Sequence, residues 1–415
     1  MESSSTDILG SQLVPVNPKL EPLRDIGIFT PVHELKRNSP AIGKGLSTTI
    51  GLIPEDQGGY SRLIGKRGSI DIGAIEYQET DVRINTTQVC QGDDEFILLE
   101  DITITDSTGG AWAIGSDQFM EIHFPEGSIL DLSSTEYLIE GNGLSAIGYY
   151  QRGTNLVLGY NRAYTTEPNH ITVSGLKVRG NLTANVYPIT RSGMGNADQN
   201  GNNPSNRTTL GRLWVLPKIS PSQLPVDTFE TESLWQAELE NPLWELGNPA
   251  GSIIDTSFSG KRSWVTNLDG GYSGGIQSIL YSPCYDLNQF DKPILGMSKW
   301  TYLQPGLDGV VLQYAFNNGG SWDWKVLGTE ESGLGWFNTS TIKTPVGEQN
   351  GVKTYGWSSQ DTSWSRAAHS LPNIASTNRS RFRLAFRSAD LVGEGSFDGF
   401  AFDNISFYEK EKIVL

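Results

Sequence analysis

The run Gly271-Tyr-Ser-Gly-Gly275 fits the G-x-S-x-G spacing of a hydrolase nucleophile elbow. That chemistry needs a strand, a tight turn and a helix, so that Ser273 is held at a helix N-terminus. The next residues, Ile276 to Leu280, read as a strand, and the downstream histidine, His369, lies among the packing residues between Trp364 and Leu371. The loop is therefore read as a turn of small residues, and no catalytic residue is assigned. Asp403 is the second group of chemical interest. Strict alternation puts it on the face of Ile405 and Phe407. A carboxylate turned into a core needs compensation, which a bound Ca²⁺ or a buried hydrogen-bond network would supply. The third group is aromatic. Trp322 and Trp324 share a parity, and Trp336 and Trp357 lie in Gly-flanked loops. Exposed rings of this kind stack on sugar faces, so these four are the candidate ligand-binding residues.

Other chemistry is poorly represented. The sequence contains no HExxH, no C-x-x-C and no Gly-rich phosphate loop. His33 stands in a loop near Pro31, and a single His there does not define a ligand site. His123 faces outward by parity, with no second His or Cys at metal-ligand spacing. Within the Asn/Gly-rich stretch 192–208 the single carboxylate is Asp198, so the stretch reads as a loop rather than a calcium site. Cys90 and Cys284 fall in different expected domains and are read as two free, buried thiols.

The totals bound the partners. With 415 residues there is room for about two to four domains. The formal charge is −16, from 47 acidic against 31 basic residues, and no basic run is present. A phosphate-binding surface needs clustered cations, so nucleic acid and anionic membranes are not expected as partners. No apolar run approaches the roughly 20 residues needed to span a bilayer, so membrane insertion is not expected. The opening MESSSTDILG has no basic n-region and no apolar core, so a signal sequence is absent from it. A composition of 47 Gly and 11 Trp with only 2 Cys is that of extracellular bacterial β-proteins.

Several elements must position these residues. Period-two alternation dominates after Glu79 to Arg83. Phe96 and Leu98 share one parity, as do Ile102 and Ile104. Met120, Ile122 and Phe124 share the same pattern, then Leu156, Leu158 and Tyr160, then Ile171 and Val173, then Leu176 and Val178. Turn signals between these runs predict a β-sandwich over 80–216. Pro217, Pro221 and Pro225 mark a linker over 217–225. A second sandwich is predicted over 226–408. There Leu312, Tyr314 and Phe316 lead through Asn317-Asn-Gly-Gly320 to Trp322, Trp324 and Val326 as a hairpin. Phe382, Leu384 and Phe386 alternate with Arg381, Arg383 and Arg387, giving one apolar and one cationic face. The charged run 409–415 ends in an apolar triplet and reads as the start of a further element.

Three resemblances add to this reading. Ser39-Pro-Ala-Ile42, Asp56-Gln-Gly58 with Arg62, and Asp71-Ile-Gly-Ala74 with Glu76 resemble the C-terminal end of right-handed parallel β-helix surface proteins. Gly43 stands where that family usually has Asp, and Gly59 where it has Arg. This makes 1–79 a β-helix cap whose upstream coils are missing, and both ends of the chain are then expected to be truncated. The pattern over 80–216 resembles immunoglobulin-like or cohesin-like spacer domains. The third resemblance covers nearly all of 226–408 and is to the MAM-like jelly-roll family. Its residues include Trp244, Gly247, Pro249, Trp264, Tyr272, Leu280-Tyr-Ser-Pro283 and Asp286-Leu287. They continue with Asp308-Gly309, Gly319-Gly-Ser-Trp322, Trp364, Ala368-His369, Leu371, Phe382 to Ser388 and Phe397 to Ile405. Related jelly rolls share a structural calcium between an acid near the first strand and an Asp of the last. That resemblance implies Glu230, Asp398 and Asp403 as ligands.

The expectation is thus an all-β chain: a β-helix C-terminal cap, then two β-sandwiches, the last a jelly roll. Its expected role is non-catalytic adhesion, or binding of an extracellular glycan or protein surface, within a large bacterial cell-surface protein, alongside upstream and downstream domains. The alternative is the accessory C-terminal region of a secreted polysaccharide lyase or peptidase.

Overall fold

The computed structural model describes residues 85–409 apart from 93, 107–113, 164–168, 193–207, 223–224, 232, 240–241, 273, 317–321, 344–352, 373–378 and 389–396, and scattered positions before 85. Every regular element among the described residues is a strand. The chain divides into two compact units, Met1–Val215 and Leu216–Leu415.

Most of the β-helix motif (Asp56 to Gly58, Arg62, Asp71, Ala74 and Glu76) lies outside the described residues, as do Asp198 and Ser273. Of the described positions near the motif, Leu20 bridges Leu35, and the Ser39 hydroxyl donates to Pro18 O at 2.6 Å.

The first unit contains β1 (Asn85–Cys90), β2 (Ile97–Leu98), β3 (Ile102–Asp106), β4 (Gly115–His123), β5 (Ser128–Asp131), β6 (Glu136–Glu140), β7 (Leu144–Arg152), β8 (Asn155–Arg162), β9 (Asn169–Ser174), β10 (Lys177–Gly180), β11 (Asn185–Ser192) and β12 (Thr208–Leu216). A sheet β1-β12-β11-β4-β8-β7 joins two three-stranded sheets, β3-β9-β6 and β2-β10-β5, through one apolar core. Met120, Ile122, Leu156, Leu158, Ile171, Val173 and Val178 fill that core, as their alternation requires. Two local readings are corrected. Ile97 and Leu99 are the buried pair, while Leu98 is exposed. An unbroken apolar run, Phe96 to Leu99, carries no parity of its own, and its face is set by pairing of Val178 with Ile97. His123 is buried rather than outward.

The second unit is a sandwich of two largely antiparallel sheets. One contains β13 (Lys218–Ile219), β15 (Gln236–Ala237), β18 (Gln277–Tyr281), β19 (Cys284–Tyr285), β21 (Gly309–Phe316), β22 (Lys325–Val326) and β26 (Ser380–Arg387). Here β26 is central, with β18 and β19 on one side and β21 on the other. The other sheet contains β14 (Val226–Asp227), β16 (Glu245–Gly247), β17 (Ser263–Val265), β20 (Pro293–Tyr302), β25 (Ser365–Ser370) and β27 (Gly399–Glu409), with β14 paired to β27. A small hairpin, β23 (Thr339–Lys343) and β24 (Lys353–Gly356), completes the unit. Between the sheets lies an aromatic core that includes Trp235, Trp244, Trp264, Phe382, Phe386, Phe400 and Phe402. Phe402 meets Phe229 and Trp235 edge-on, each with ring centroids 5.1 Å apart. Edge-to-face contacts of this kind add about 0.5–1.5 kcal/mol beyond area burial.

Neither cysteine is a free thiol, which corrects the sequence reading: both are disulfide-bonded and buried. Spacing in the chain carried no information on their oxidation.

Candidate functional site

The cationic face of β26 is the most distinctive polar feature of the second unit. Tyr281, Arg383 and Gln313 are direct cross-strand neighbours on β18, β26 and β21. The Arg383 guanidinium donates through Nε to Gln313 Oε1 at 2.7 Å. One pleat along, Arg381 pairs with Ala315, whose methyl side chain leaves room beside it. Trp322 and Trp324, just before the edge strand β22, fold back over both arginines. Arg381 lies 4.7 Å from the Trp322 ring centre, 5.2 Å from Trp324 and 5.5 Å from Tyr281. Arg383 lies 4.4 Å from Trp324. The two indoles are 6.4 Å apart and inclined by 31°.

Burial sets the electrostatics of this cluster. Arg381 is fully buried, and its Nε, Nη1 and Nη2 have no hydrogen-bond partner. Removal from water pushes its pKa down to about 9, and the charge of Arg383 acts in the same direction. Arg383 is also lowered by burial, against the hydrogen bond and charge of Tyr281. The three rings are half-buried, so each covers a guanidinium while keeping some contact with solvent. The alternation of Arg381 with Phe382 revealed the cationic face in the sequence. Its aromatic cover was missed, although Trp322 and Trp324 repeat at the same period as Arg381 and Arg383.

Trp336 and Trp357 are placed differently from the loop reading. Both are buried, and their indole N–H groups donate to Leu327 O at 2.6 Å and Gly335 O at 3.1 Å. They pack edge-on against each other at 5.1 Å, because the flanking glycines let the backbone fold tightly around large rings. They form the floor of an open pocket of about 460 Å³ whose rim includes Lys299, Asn338, Gln360 and Asp361. Lys299 Nζ pairs with Asp361 at 3.1 Å, so this pocket's cation is already neutralised.

The acidic residues separate into two places. The Glu230 carboxylate accepts from the backbone N–H groups of Lys261 and Arg262 at 2.9 and 2.8 Å. Gly260 sits at φ 60° against that carboxylate, where a Cβ would collide with it. Asp403 accepts from Ser259 N at 2.9 Å and from Asn404 N at 2.7 Å, so the same loop carries both acids. Burial, reinforced by the charge of Glu230, raises Asp403 to about 6. Asp398 serves a different turn, accepting from Ser252 Oγ, Ile253 N and Ile254 N. Among the described residues no group of three or more His, Cys, Asp or Glu forms a metal-binding cluster.

The predicted face of Asp403 is also corrected. Phe400 and Phe402 enter the main core, and so do Ile405 and Phe407, so the alternation slips between the two pairs. Asn404 at φ 52° and a register shift opposite it, between Gly296 and Ser298, mark a β-bulge. Asp403 is thereby turned with Ala401 toward the 258–262 loop, and backbone donors provide the compensation that a buried carboxylate needs.

A serine–histidine contact occurs at Ser332, 2.9 Å from His369 Nε2. The same hydroxyl donates to Thr329 O and accepts from Thr329 N, both at 2.8 Å, which closes a local turn. The pair is a turn brace. In the loop of Ser273, Gly274 and Gly275 form a turn that leads into strand β18, not a helix.

No protein-family model matches the chain, and no curated protein is significantly similar to it. Among solved structures the chain is similar to the CBM22-1 xylan-binding domain of Paenibacillus barcinonensis Xyn10C. The identity is 8%, coverage is 44% of this chain and 90% of that one, and the TM-score is 0.26. It is similar to the K1 cleaved adhesin domain of Lys-gingipain from Porphyromonas gingivalis W83 at 14% identity, 45% and 98% coverage and a TM-score of 0.25. A family 16 carbohydrate binding module shows 14% identity, 42% and 91% coverage and a TM-score of 0.23. Scores of this size do not establish a common fold.

Proposed function

We propose that the chain is a non-catalytic binding segment of an extracellular bacterial surface protein, and that its second sandwich binds a glycan at Trp322 and Trp324. The observation that carries this reading is the pair of half-exposed indoles beside Tyr281, above the polar row Tyr281, Arg383 and Gln313. Sugar rings offer flat C–H faces and a rim of hydroxyls. An aromatic platform over guanidinium and amide groups matches both properties. In this proposal the described part of the first unit is an immunoglobulin- or cohesin-like spacer, the second unit a MAM-like jelly roll, and the segment before 80 the end of a β-helix.

The test is a glycan array probed with the full chain. Binding that weakens in Trp322→Ala and Trp324→Ala, with unchanged melting, supports the proposal. A blank array overturns it.

A structural Ca²⁺ at Glu230 and Asp403 is the second part of the proposal. Burial raises the Asp403 carboxyl and the Glu230 charge adds a smaller push in the same direction, so a cation placed between the two carboxylates would offset both. Asp398, committed to residues 252–254, is not part of this set.

A further inference from the structure

We infer that the glycan taken at this surface is acidic, and that Arg381 is the residue that reads its charge. The inference rests on the glycan-binding reading and adds the class of sugar.

Arg381 carries five N–H donors on a planar fork. All three of its nitrogens lack an acceptor, although the side chain is fully buried. Buried guanidinium groups are normally paired with a carboxylate or with several carbonyls, because leaving the donors unmade is costly. Here the charged neighbour is a second cation, Arg383, which adds to the cost. Arg383 satisfies its own Nε with Gln313, so the deficit is concentrated on Arg381. The rings of Trp322, Trp324 and Tyr281 supply only the weaker cation–π attraction. An incoming oxyanion gives the fork what the protein does not: two parallel, charge-assisted hydrogen bonds.

The surrounding rings decide what carries that oxyanion. A free inorganic anion has no use for two indoles and a phenol, whereas a sugar acid presents a ring face and a carboxylate together. Arg381 lies beneath the half-buried Trp322, so that ring must swing aside as the acid enters, exchanging a cation–π contact for an ion pair. The formal charge of −16 repels polyanions at long range. Recognition must therefore be local, within about a Debye length of the pair.

The inference is tested by titrating the full chain calorimetrically with polygalacturonate, its methyl-esterified form, neutral galactan and dextran sulfate. The expected result is binding of polygalacturonate about tenfold or more tighter than of its ester, as the loss of a charge-assisted pair implies. Arg381→Met should abolish that preference while keeping weak binding to the neutral polymers, and Arg381→Lys should restore it only in part. Dextran sulfate binding as tightly as polygalacturonate would assign Arg381 to sugar oxyanions in general, and weaker binding would assign it to carboxylates. Equal affinity of the wild-type chain for acid, ester and galactan overturns the inference and leaves glycan binding intact. Failure of all four polymers to bind overturns the inference, and the glycan array then decides the binding reading separately. The wild-type comparison stands even if Arg381→Met does not fold.

Discussion

Tyr272 donates its phenolic hydroxyl to Asp308 Oδ2 at 2.5 Å, with both residues buried in the second unit. The Tyr272 hydroxyl oxygen in turn accepts from the backbone N–H of Gln304, so this one side chain ties its own segment to the loop before β21. Removal of the hydroxyl deletes a hydrogen bond to a buried carboxylate, worth about 1.5–3 kcal/mol. Tyr272→Phe should lower the stability measured by denaturant unfolding by that amount, with an unchanged m-value. A change below about 0.5 kcal/mol would show that Asp308 is held by its other partners.

Asp403 gives the second unit an acid-side stability gradient. Its carboxyl ordinarily titrates at 3.8 and is raised to about 6 by burial, with the Glu230 charge adding to the shift. Between about pH 4 and about pH 6 the folded state holds a proton that the unfolded chain has released. Stability therefore falls as pH rises through that window. Thermal melts should show this fall, and Asp403→Asn should flatten it. If calcium sits at Glu230 and Asp403, adding it at about pH 7 raises the melting temperature and EDTA reverses the gain. An EDTA-insensitive melt would remove the metal.

Gly260 allows the 258–262 loop to close on Glu230. Gly260→Ala meets two penalties, a left-handed backbone and a collision with the Glu230 carboxylate. The expected loss is about 1–3 kcal/mol. Glu230→Ala removes the collision but also the acceptor of Lys261 N and Arg262 N, so the test is the cost of Gly260→Ala measured in the Glu230→Ala background, which should be smaller than in the wild type but not zero.

Trp324 and Trp357 should separate binding from folding. Trp357 lies among Trp336, Phe337 and Phe400 in the core, so Trp357→Ala should cost about 3–5 kcal/mol. Trp324→Ala should cost far less stability and most of the glycan affinity. The opposite pattern would move the binding surface to the pocket above Trp357.

Alternation carried most of the fold. Met120 and Ile122, or Phe382 and Leu384, face the cores as period two demands, because the apolar members of an alternating run take the face toward the core. It failed where the backbone departs from a regular pleat. The bulge at Asn404 reverses the facing of Asp403, and no local residue pattern announces the extra residue in β27. It also failed where every residue is apolar, as at Phe96 to Leu99. The site was half legible. Trp322, Trp324 and the cationic stripe were visible separately, but that the indoles cover the guanidiniums is a tertiary fact. Trp336 and Trp357 misled because a glycine flank signals either an exposed loop or a tight wrap around a ring.

The pairing of β14 with β27 has a mechanical meaning. The short strand β14 lies antiparallel to β27, with Val226 opposite Ser406. The start of β14 therefore lies one strand spacing, about 5 Å, from the last strand. Tension applied at Val226 and Glu409 would load β14 and β27 from the same end and peel them apart bond by bond.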